Sequence, residues 1–338
     1  MYTYRGNIHV HSKLSDGTRS VEDIAQIAKK AGLDFVCITD HNCFAFEKTG
    51  YYDGLLLIMG SELNKKKHHY LALGISNEIK TNCDNPQVVI NEVKAQEGIG
   101  IIAHPCEKGS NVMFNGASFP WTNWDVYGYD GIEVWNFCSQ WKDQTKNKRE
   151  ALKNLIFSPY KPITGPCKES MAIFDKVSQN RKVFAIAGTD IHSPQIGPWE
   201  ILSYKQLFNA LNNYVLTDKR LPKDALEAET VILDSLRKGQ SYFAFEVKHL
   251  AKGFNFWISD NKDTFGIGSD LCFKKNLKAV IRLPRNLIAE IYLKKDGKTI
   301  YKAKESKAEV KVNERGIYRV EVWEGSSPWI FSNNIYVN

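Results

Sequence analysis

The sequence predicts an α/β protein with a mainly parallel sheet, either a barrel or a doubly wound sheet, followed by a smaller antiparallel β region. Continuous apolar runs, such as Phe35 to Ile38, alternate with amphipathic helical segments, which is typical of parallel strands covered on both faces. Nearly every run ends in histidines or acids, and functional groups of parallel α/β barrels gather at the carboxyl ends of strands. After about residue 250 the pattern changes to short β-rich segments separated by turns.

Composition narrows the class of protein. The chain has 338 residues, 43% hydrophobic and 25% charged, which is enough for one large domain and a small companion. The net charge of +7 comes mainly from dispersed lysines, so it permits anionic substrates without indicating a nucleic-acid binder. Seven cysteines without a Cys-x-x-Cys pair argue against both a disulfide framework and a thiolate zinc site, and they favour a reducing compartment. The longest apolar run, Leu55 to Met59, is too short to span a membrane, and we expect a cytoplasmic protein without a signal peptide.

The elements of the first 250 residues can be placed in order. A short strand ends at His9, and Ser20 begins a helix with one apolar face. Further helices are predicted over residues 86–97, 143–157 and 204–213. The other strands are expected within residues 35–41, 55–62, 70–74, 99–105, 131–136 and 183–192.

The carboxyl-terminal segment predicts a small antiparallel β-sandwich, so we expect a domain of residues 1–250 and a second of residues 251–338. From about Phe254 onward it contains no histidine, and we expect it to support the first domain and not to perform chemistry. Its strands are expected at residues 254–259, 277–283, 289–294, 298–303, 309–312, 318–323 and 334–337.

The stretch His-Val-His-Ser-Lys-Leu-Ser-Asp-Gly, from His9 to Gly17, places three potential metal ligands close together. His9 and His11 point to the same face of a strand because side chains alternate. Too many ligands collect at the predicted strand ends for one tetrahedral metal, but they suit two or three divalent cations. Imidazole and carboxylate accept zinc, manganese and iron alike, and a water held between two such cations is a hydrolytic nucleophile. The candidate ligands are His9, His11, Asp16, His41, Glu62, His69, His104, Asp190 and His192.

The order of these motifs resembles the PHP (polymerase and histidinol phosphatase) superfamily over about residues 6 to 193. The motifs are the His9 stretch, Thr39-Asp-His-Asn42, Gly60-Ser-Glu62, Ala103-His-Pro105 and Gly188-Thr-Asp-Ile-His192. The resemblance implies a distorted (β/α)7 barrel with a trinuclear metal site at the carboxyl ends of its strands.

The resemblance also implies how the nine ligands divide among three metals. It assigns His9, His11, Glu62 and Asp190 to one metal, with Glu62 bridging to a second. The second metal would be completed by His69 and His104, and the third would be held by Asp16, His41 and His192.

Further residues near these motifs have predicted roles. His69 is preferred over the adjacent His68 because His69-Tyr-Leu-Ala-Leu-Gly74 has the spacing of a family element. Asp40 is expected to orient a neighbouring ligand, and not to bind a metal itself. Candidate substrate contacts are Lys108, Glu133 and Asn136, each just after or at the end of a predicted barrel strand.

The tail, with Gly316-Ile-Tyr-Arg-Val-Glu321 and Pro328-Trp-Ile-Phe-Ser-Asn333, resembles that of stand-alone PHP-type phosphoesterases. The resemblance therefore favours a phosphoesterase that hydrolyses a small phosphorylated molecule with a metal-bridging hydroxide held at Glu62. Alternatives are a hydrolase of a carbamate or carboxyl ester, and a nuclease whose Trp121, Trp124 and Trp135 stack on bases. A binding module that keeps its metals without catalysis is a further alternative. The sequence leaves the oligomeric state open.

Overall fold

The computed structural model describes residues 1–110, 116–197, 199–260 and 262–338. The helices are α1 Val21–Lys30, α2 Pro86–Ala95, α3 Phe137–Asp143, α4 Lys148–Phe157, α5 Lys168–Ser178, α6 Tyr204–Phe208 and α7 Ala225–Arg237. The strands of the first 250 residues are β1 Tyr2–Asn7, β2 Phe35–Ile38, β3 Gly50–Tyr52, β4 Leu55–Leu63, β5 Tyr70–Leu73, β6 Ile99–Ile102, β7 Gly131–Asn136, β8 Phe184–Gly188, β9 Gln195–Ile196, β10 Trp199–Glu200, β11 Leu211–Thr217 and β12 Ser241–Phe245. The strands of the tail are β13 Asn255–Ser259, β14 Thr264–Gly266, β15 Asp270–Leu271, β16 Leu277–Arg282, β17 Ala289–Lys295, β18 Lys298–Glu305, β19 Lys307–Val312, β20 Gly316–Glu324, β21 Ser327–Ser332 and β22 Ile335–Val337.

The predicted α/β architecture is confirmed, with strands in the order β12-β11-β1-β2-β4-β5-β6-β7-β8. The pairs β1–β2, β2–β4, β6–β7 and β7–β8 are parallel. Strand β5 differs from the expected parallel pattern because it runs antiparallel to both β4 and β6. Only residues 64–69 connect β4 to β5, and a parallel connection needs a crossover of a dozen or more residues. His69, at the amino end of β5, therefore lies at the same edge as the carboxyl ends of β4 and β6.

The two ends of this row of strands approach each other beside the same edge. A parallel bridge joins Val10, just after β1, to Ile191, just after β8. Farther along β8, two asparagine side chains hydrogen bond to its backbone as a neighbouring strand would. The Asn213 amide pairs with the N–H and C=O of Ala187 at 3.0 and 2.6 Å, and Asn333 pairs with those of Ala185 at 2.7 and 2.9 Å. These amides satisfy buried backbone groups where no regular ladder continues.

Helices cover the outer face of the sheet because their apolar stripes match its apolar strands. Every residue of β2 and β4 is buried, which explains their continuous apolar sequences. Helix α1 buries Val21, Ile24, Ala25 and Ala28. It begins where the Ser20 side chain accepts a hydrogen bond from the Asp23 N–H at 3.1 Å, as the sequence predicts.

Two predicted helices have different bounds from the expectation. The helix predicted over residues 143–157 begins only at Lys148, because Asp143 is the last residue of α3. The predicted helix 204–213 stops at Phe208, and β11 begins at Leu211. Its residues 211–213 pair with β12 and β1, so sheet pairing overrides the local helical pattern.

The tail forms the expected antiparallel sandwich. The sheet β14-β13-β16-β19 packs on β17, β20, β21 and β22 through a buried apolar cluster. Strand β21 also pairs with β12, with Tyr242 opposite Ser332, so one sheet runs from the barrel into the tail. The division at residue 250 stays a prediction. Within the described residues, no helix is long and apolar enough to cross a membrane.

Candidate metal centre

The structure brings all nine predicted ligands to one edge of the barrel sheet. His9 and His11 follow β1, His41 follows β2, Glu62 lies near the end of β4, His69 precedes β5, His104 follows β6, and Asp190 and His192 follow β8. This is the edge at which residues after β1 and β8 are bridged. The strand-end pattern that predicted the ligands therefore also positions them.

Glu62 is the centre of the cluster, and its two carboxylate oxygens face different histidines. Oε2 lies 3.2 Å from Nε2 of both His9 and His11 and 3.3 Å from Nδ1 of His41. Oε1 lies 2.7 Å from Nδ1 of His69 and 3.0 Å from Nε2 of His104. A fully buried carboxylate with a histidine set on each oxygen has the arrangement of a bridge between two cations.

Asp190 adds a second carboxylate to the His9 and His11 side of Glu62. Its Oδ1 lies 3.3 Å from Nε2 of His9 and 3.2 Å from Nε2 of His11. The backbone of Asp190 has φ of +54°, an uncommon conformation for a residue other than glycine that often occurs at functional sites. These groups form a compact set of two imidazoles and two carboxylates.

A third set surrounds Asp16, whose side chain is 54% exposed. Its carboxylate lies 3.2 Å from Nε2 of His192, 3.6 Å from Nδ1 of His11 and 3.7 Å from Nε2 of His41. His11 therefore belongs to two neighbouring sets. The open side of the centre is the side of Asp16.

The donor set passes a simple test of fit for divalent cations. Among the buried side chains that the structure describes, His11 Nε2, His69 Nε2 and His104 Nδ1 have no hydrogen-bond partner. Buried polar groups normally have one. Three unpartnered imidazole nitrogens in one acid-rich cluster are suited to bind a cation, since neutral imidazole and carboxylate are ligands of zinc, manganese and iron.

The electrostatics of the cluster follow from burial of acids beside imidazoles. Burial alone would raise the pKa of Glu62, but His69, His9 and their neighbours hold it well below its usual range. Burial also opposes protonation of His11, yet the nearby carboxylates of Asp190 and Glu62 raise its pKa to about 9. At His41 burial dominates and lowers the pKa to about 4. A raised pKa at His11 means that cation binding there is coupled to release of a proton.

Glu133 lies behind His9 and fixes its orientation. Its Oε1 accepts a hydrogen bond from His9 Nδ1 at 2.9 Å, which directs Nε2 toward Glu62 and Asp190. Its Oε2 accepts from the His104 backbone N–H at 2.7 Å and from Asn136 Nδ2 at 3.0 Å. A carboxylate on the far nitrogen of a ligating histidine fixes the tautomer and raises ligand basicity.

The position of Glu133 explains why residue 188 is a glycine, and it bears on the predicted substrate contacts Glu133 and Asn136. A Cβ on Gly188 would lie only 1.8 Å from Glu133 Oε1, so this carboxylate requires glycine there. Glu133 and Asn136 are buried, and the Asn136 side chain also accepts from the Ser139 N–H at the start of α3. Both residues border a cavity that lies beside His104, and their role in binding substrate stays a prediction.

Asp40 lies beneath the loop that carries Asp16. It is fully buried and accepts hydrogen bonds from the Ser12 N–H at 2.7 Å, from the Ser12 hydroxyl at 2.6 Å and from the Ser15 hydroxyl at 2.5 Å. These bonds fix the chain between His11 and Asp16.

The adjacent histidines 68 and 69 have different partners. His69 faces Glu62, whereas His68 bonds to the Cys83 C=O and the Thr122 hydroxyl, both at 2.9 Å.

A cavity of about 680 Å³ adjoins the centre at His104. Lys108 borders this cavity, but its side chain is 70% exposed and its Nζ lies 3.9 Å from Glu169 Oε1. Residues of the tail border it as well, among them Arg319 and Trp323. The tail therefore does more than pack beneath the barrel, because it forms one wall of the space beside the metal centre.

Sequence reasoning missed a buried network between the cavity and His104. Glu107 accepts hydrogen bonds from Lys142 Nζ at 2.6 Å and from the Ser139 hydroxyl, and its Oε2 lies 4.0 Å from His104 Nδ1. The His104-Pro-Cys-Glu107 spacing is a weak signal for Glu107. No local pattern marks Lys142, which reaches Glu107 from helix α3.

The fold and site define an α/β protein with an imidazole and carboxylate cluster that is suited to bind divalent metal. Residues 7–140 match the family model described as the PHP domain. This part of the chain therefore matches the PHP domain. The resemblance found in the motifs is thereby confirmed.

Relatives outside the family model are distant. An uncharacterised protein from Methanocaldococcus jannaschii is 25% identical over 151 residues, which cover 39% of this chain and 81% of the relative. A two-domain protein from Bacteroides vulgatus, containing a predicted PHP-like metal-dependent phosphoesterase, is 14% identical with a TM-score of 0.45, covering 98% of this chain and 95% of that one. An amidohydrolase from Chromobacterium violaceum with bound sulfate and no metal is 14% identical with a TM-score of 0.30, covering 56% and 88%.

Proposed function

We propose that the protein is a metal-dependent phosphoesterase that hydrolyses a small phosphorylated molecule at a trinuclear centre. The observation that supports this most is the division of histidines between the two oxygens of Glu62. A third group around Asp16 adjoins them. Such a donor set would hold several cations close together, which is an arrangement that can cleave phosphate esters.

The cations, zinc, manganese or iron, would supply an activated water and neutralise charge on the phosphoryl group. The residues of the chain hold the ligands in place. Glu133 orients His9, and Asp40 fixes the loop between His11 and Asp16. Because these supports are buried and hydrogen bonded, little reorganisation is needed when the centre is filled.

The adjoining cavity supports a small substrate. Its volume of about 680 Å³ falls within the range of small-molecule pockets, roughly 300–1,000 Å³. Trp121 and Trp135 are buried in the core, and Trp124 is partly buried against it, which supports a packing role for them more than base stacking. Lys108 is proposed to contact a phosphate oxygen from the rim of the cavity. The carbamate and carboxyl ester alternatives use the same centre, and no observation favours them.

The cellular location is proposed from the cysteines. All seven are free in the structure, and free thiols persist in reducing compartments. This supports a cytoplasmic enzyme. Comparing the localisation of a tagged full chain with that of a secreted control would test it.

The test of the proposed function begins with Glu62→Gln. The amide keeps the shape of the side chain but removes the charge that faces two histidine sets, so turnover should be abolished and fewer cations retained. The assay is hydrolysis of p-nitrophenyl phosphate, its diester and p-nitrophenyl acetate, each with manganese, zinc or iron, together with elemental analysis. Near-normal turnover at saturating metal would show that Glu62 is not the bridge.

A matched pair of neighbours provides the control. His69→Gln should lose cations and phosphatase activity, whereas His68→Gln should keep both, because only His69 faces Glu62. A wild-type protein that hydrolyses the acetate ester but neither phosphate would contradict the phosphoesterase assignment. At most one cation per chain after reconstitution would contradict the trinuclear centre.

A further inference from the structure

Two cysteines from different elements meet at the edge of the cavity beside the metal centre. Cys106 lies in the loop after β6, and Cys167 immediately precedes α5. The Cys167 thiol donates to Glu169 Oε2 at 3.0 Å, and the Ser170 hydroxyl donates to Cys106 Sγ at 3.1 Å. The two sulfurs and a Glu169 carboxylate oxygen all lie within 4.8 Å of one another.

The backbone on both sides of this cluster is fixed by hydrogen bonds. The Cys167 N–H donates to the Val134 C=O at 3.0 Å, and its own C=O accepts from Met171 N–H at 2.9 Å. On the other side, the Pro105 C=O accepts from Trp121 N–H at 3.0 Å. The sulfurs are therefore held together by the fold and not by chance contact of two mobile loops.

The chemistry of this cluster differs from that of the Glu62 centre. Of the groupings of potential ligands found among the described residues, it alone contains sulfur. Thiolate ligands favour soft and borderline cations such as zinc, whereas imidazole and carboxylate accept a wider range. Both cysteines and Glu169 also border the cavity, so a cation can reach them from solvent.

We propose that Cys106, Cys167 and Glu169 form a second cation site, selective for zinc-like ions and separate from the Glu62 centre. Three protein donors are one fewer than a closed structural zinc site uses, which leaves a position open to water from the cavity. A cation there would neutralise Glu169, whose carboxylate also approaches Lys108. The site would thus change the charge at the edge of the cavity without taking a ligand from the Glu62 centre.

The test uses the full chain, reduced and kept anaerobic, with the Glu62 centre first filled with manganese. Cobalt is then titrated, and the near-ultraviolet absorption band of sulfur-to-cobalt charge transfer is measured. About one equivalent of cobalt should generate the band, and zinc should abolish it by displacement. Manganese bound to imidazole and carboxylate gives no such sulfur band, so the two centres are read separately.

Variants identify the ligands. Cys106→Ser and Cys167→Ser should each remove the band, and serine at 167 keeps a residue that caps a helix well, so α5 should still form. Cys272→Ser, at an exposed cysteine of the tail, is the matched control and should keep the band. Circular dichroism and manganese content, unchanged in all three variants, show that the fold and the Glu62 centre persist.

Three outcomes would overturn the proposal. They are absence of the sulfur band in the wild-type chain, its survival in Cys167→Ser, and a Cys106 to Cys167 disulfide whose reduction restores no cobalt binding. Because the readout does not involve turnover, a protein inactive toward phosphate esters could still show the band. The phosphoesterase proposal and this one can therefore fail independently.

Discussion

Replacing Glu133 with glutamine is a sharp test of how His9 is oriented, because three donors converge on this carboxylate. His9 Nδ1 faces Oε1, while the His104 N–H and the Asn136 amide face Oε2. A glutamine offers one acceptor oxygen and one NH₂ group. With its oxygen toward His9, the NH₂ group opposes two donors. With its NH₂ group toward His9, that imidazole must carry its proton on Nε2, the nitrogen directed at Glu62.

The expected magnitude follows from those lost contacts. Loss of a carboxylate that orients a ligating histidine lowers metal affinity or activity by about 10- to 100-fold. Each buried donor left without a partner lowers the free energy of unfolding by roughly 1–3 kcal/mol. Glu133→Gln should therefore bind cations at least about tenfold more weakly and also unfold more easily.

The assay must separate these two effects. Metal affinity is measured by competition with a chelator under conditions in which the variant is folded, and stability by urea unfolding without metal. Glu246→Gln is the control, because Glu246 is also buried and accepts from Arg5 Nε at 2.7 Å, with no predicted metal ligand among its hydrogen-bond partners. It should lose stability while the folded protein binds cations normally. Wild-type metal affinity in a folded Glu133→Gln protein would refute the reasoning about His9.

Two further predictions concern stability. Burial raises the pKa of Glu229 to about 7, so the folded state keeps this proton to higher pH than the unfolded state, and its contribution to stability is lost as pH rises from ~4.5 to ~7. At pH 8, Glu229→Gln should thus be more stable than wild type, by at most about 3 kcal/mol from the pKa shift and by about 1–2 kcal/mol after relaxation at this partly exposed site. At pH 4 it should not be more stable. An equal difference in unfolding free energy at both pH values, measured by urea unfolding, would contradict the assignment. Asn333→Leu should lower the unfolding free energy by about 3 kcal/mol, because it removes both hydrogen bonds to Ala185. As the control, Asn255→Ala, at an exposed position of β13, should change the unfolding free energy by less than about 0.5 kcal/mol. Equal losses in the two variants would show that the edge of β8 does not depend on Asn333.

The sequence was informative where chemistry and strand periodicity coincide. His9 and His11, two residues apart, could be placed on one face, and the acids and histidines that end apolar runs predicted the edge at which they meet. In the structure His69 faces Glu62 and His68 bonds to the Cys83 C=O, and the choice of His69 as a metal ligand stays a prediction.

Other parts depend on contacts between distant residues and could not be read locally. The antiparallel direction of β5 is implied by the short segment 64–69, but apolar composition alone does not distinguish strand direction. Lys142 reaches Glu107 from 35 residues away, and the Asn333 amide reaches Ala185 from 148 residues away. No spacing rule within a single sequence identifies such pairs.

The sheet shared by β12 and β21 has a mechanical consequence for the cavity. Its two walls, one from the barrel and one from the tail, are tied by the backbone ladder that pairs Tyr242 with Ser332. Moving the two walls apart would require breaking this ladder together with the amide contacts of Asn333. We therefore expect the two walls of the cavity to keep a fixed separation, and barrel and tail to unfold as one cooperative unit.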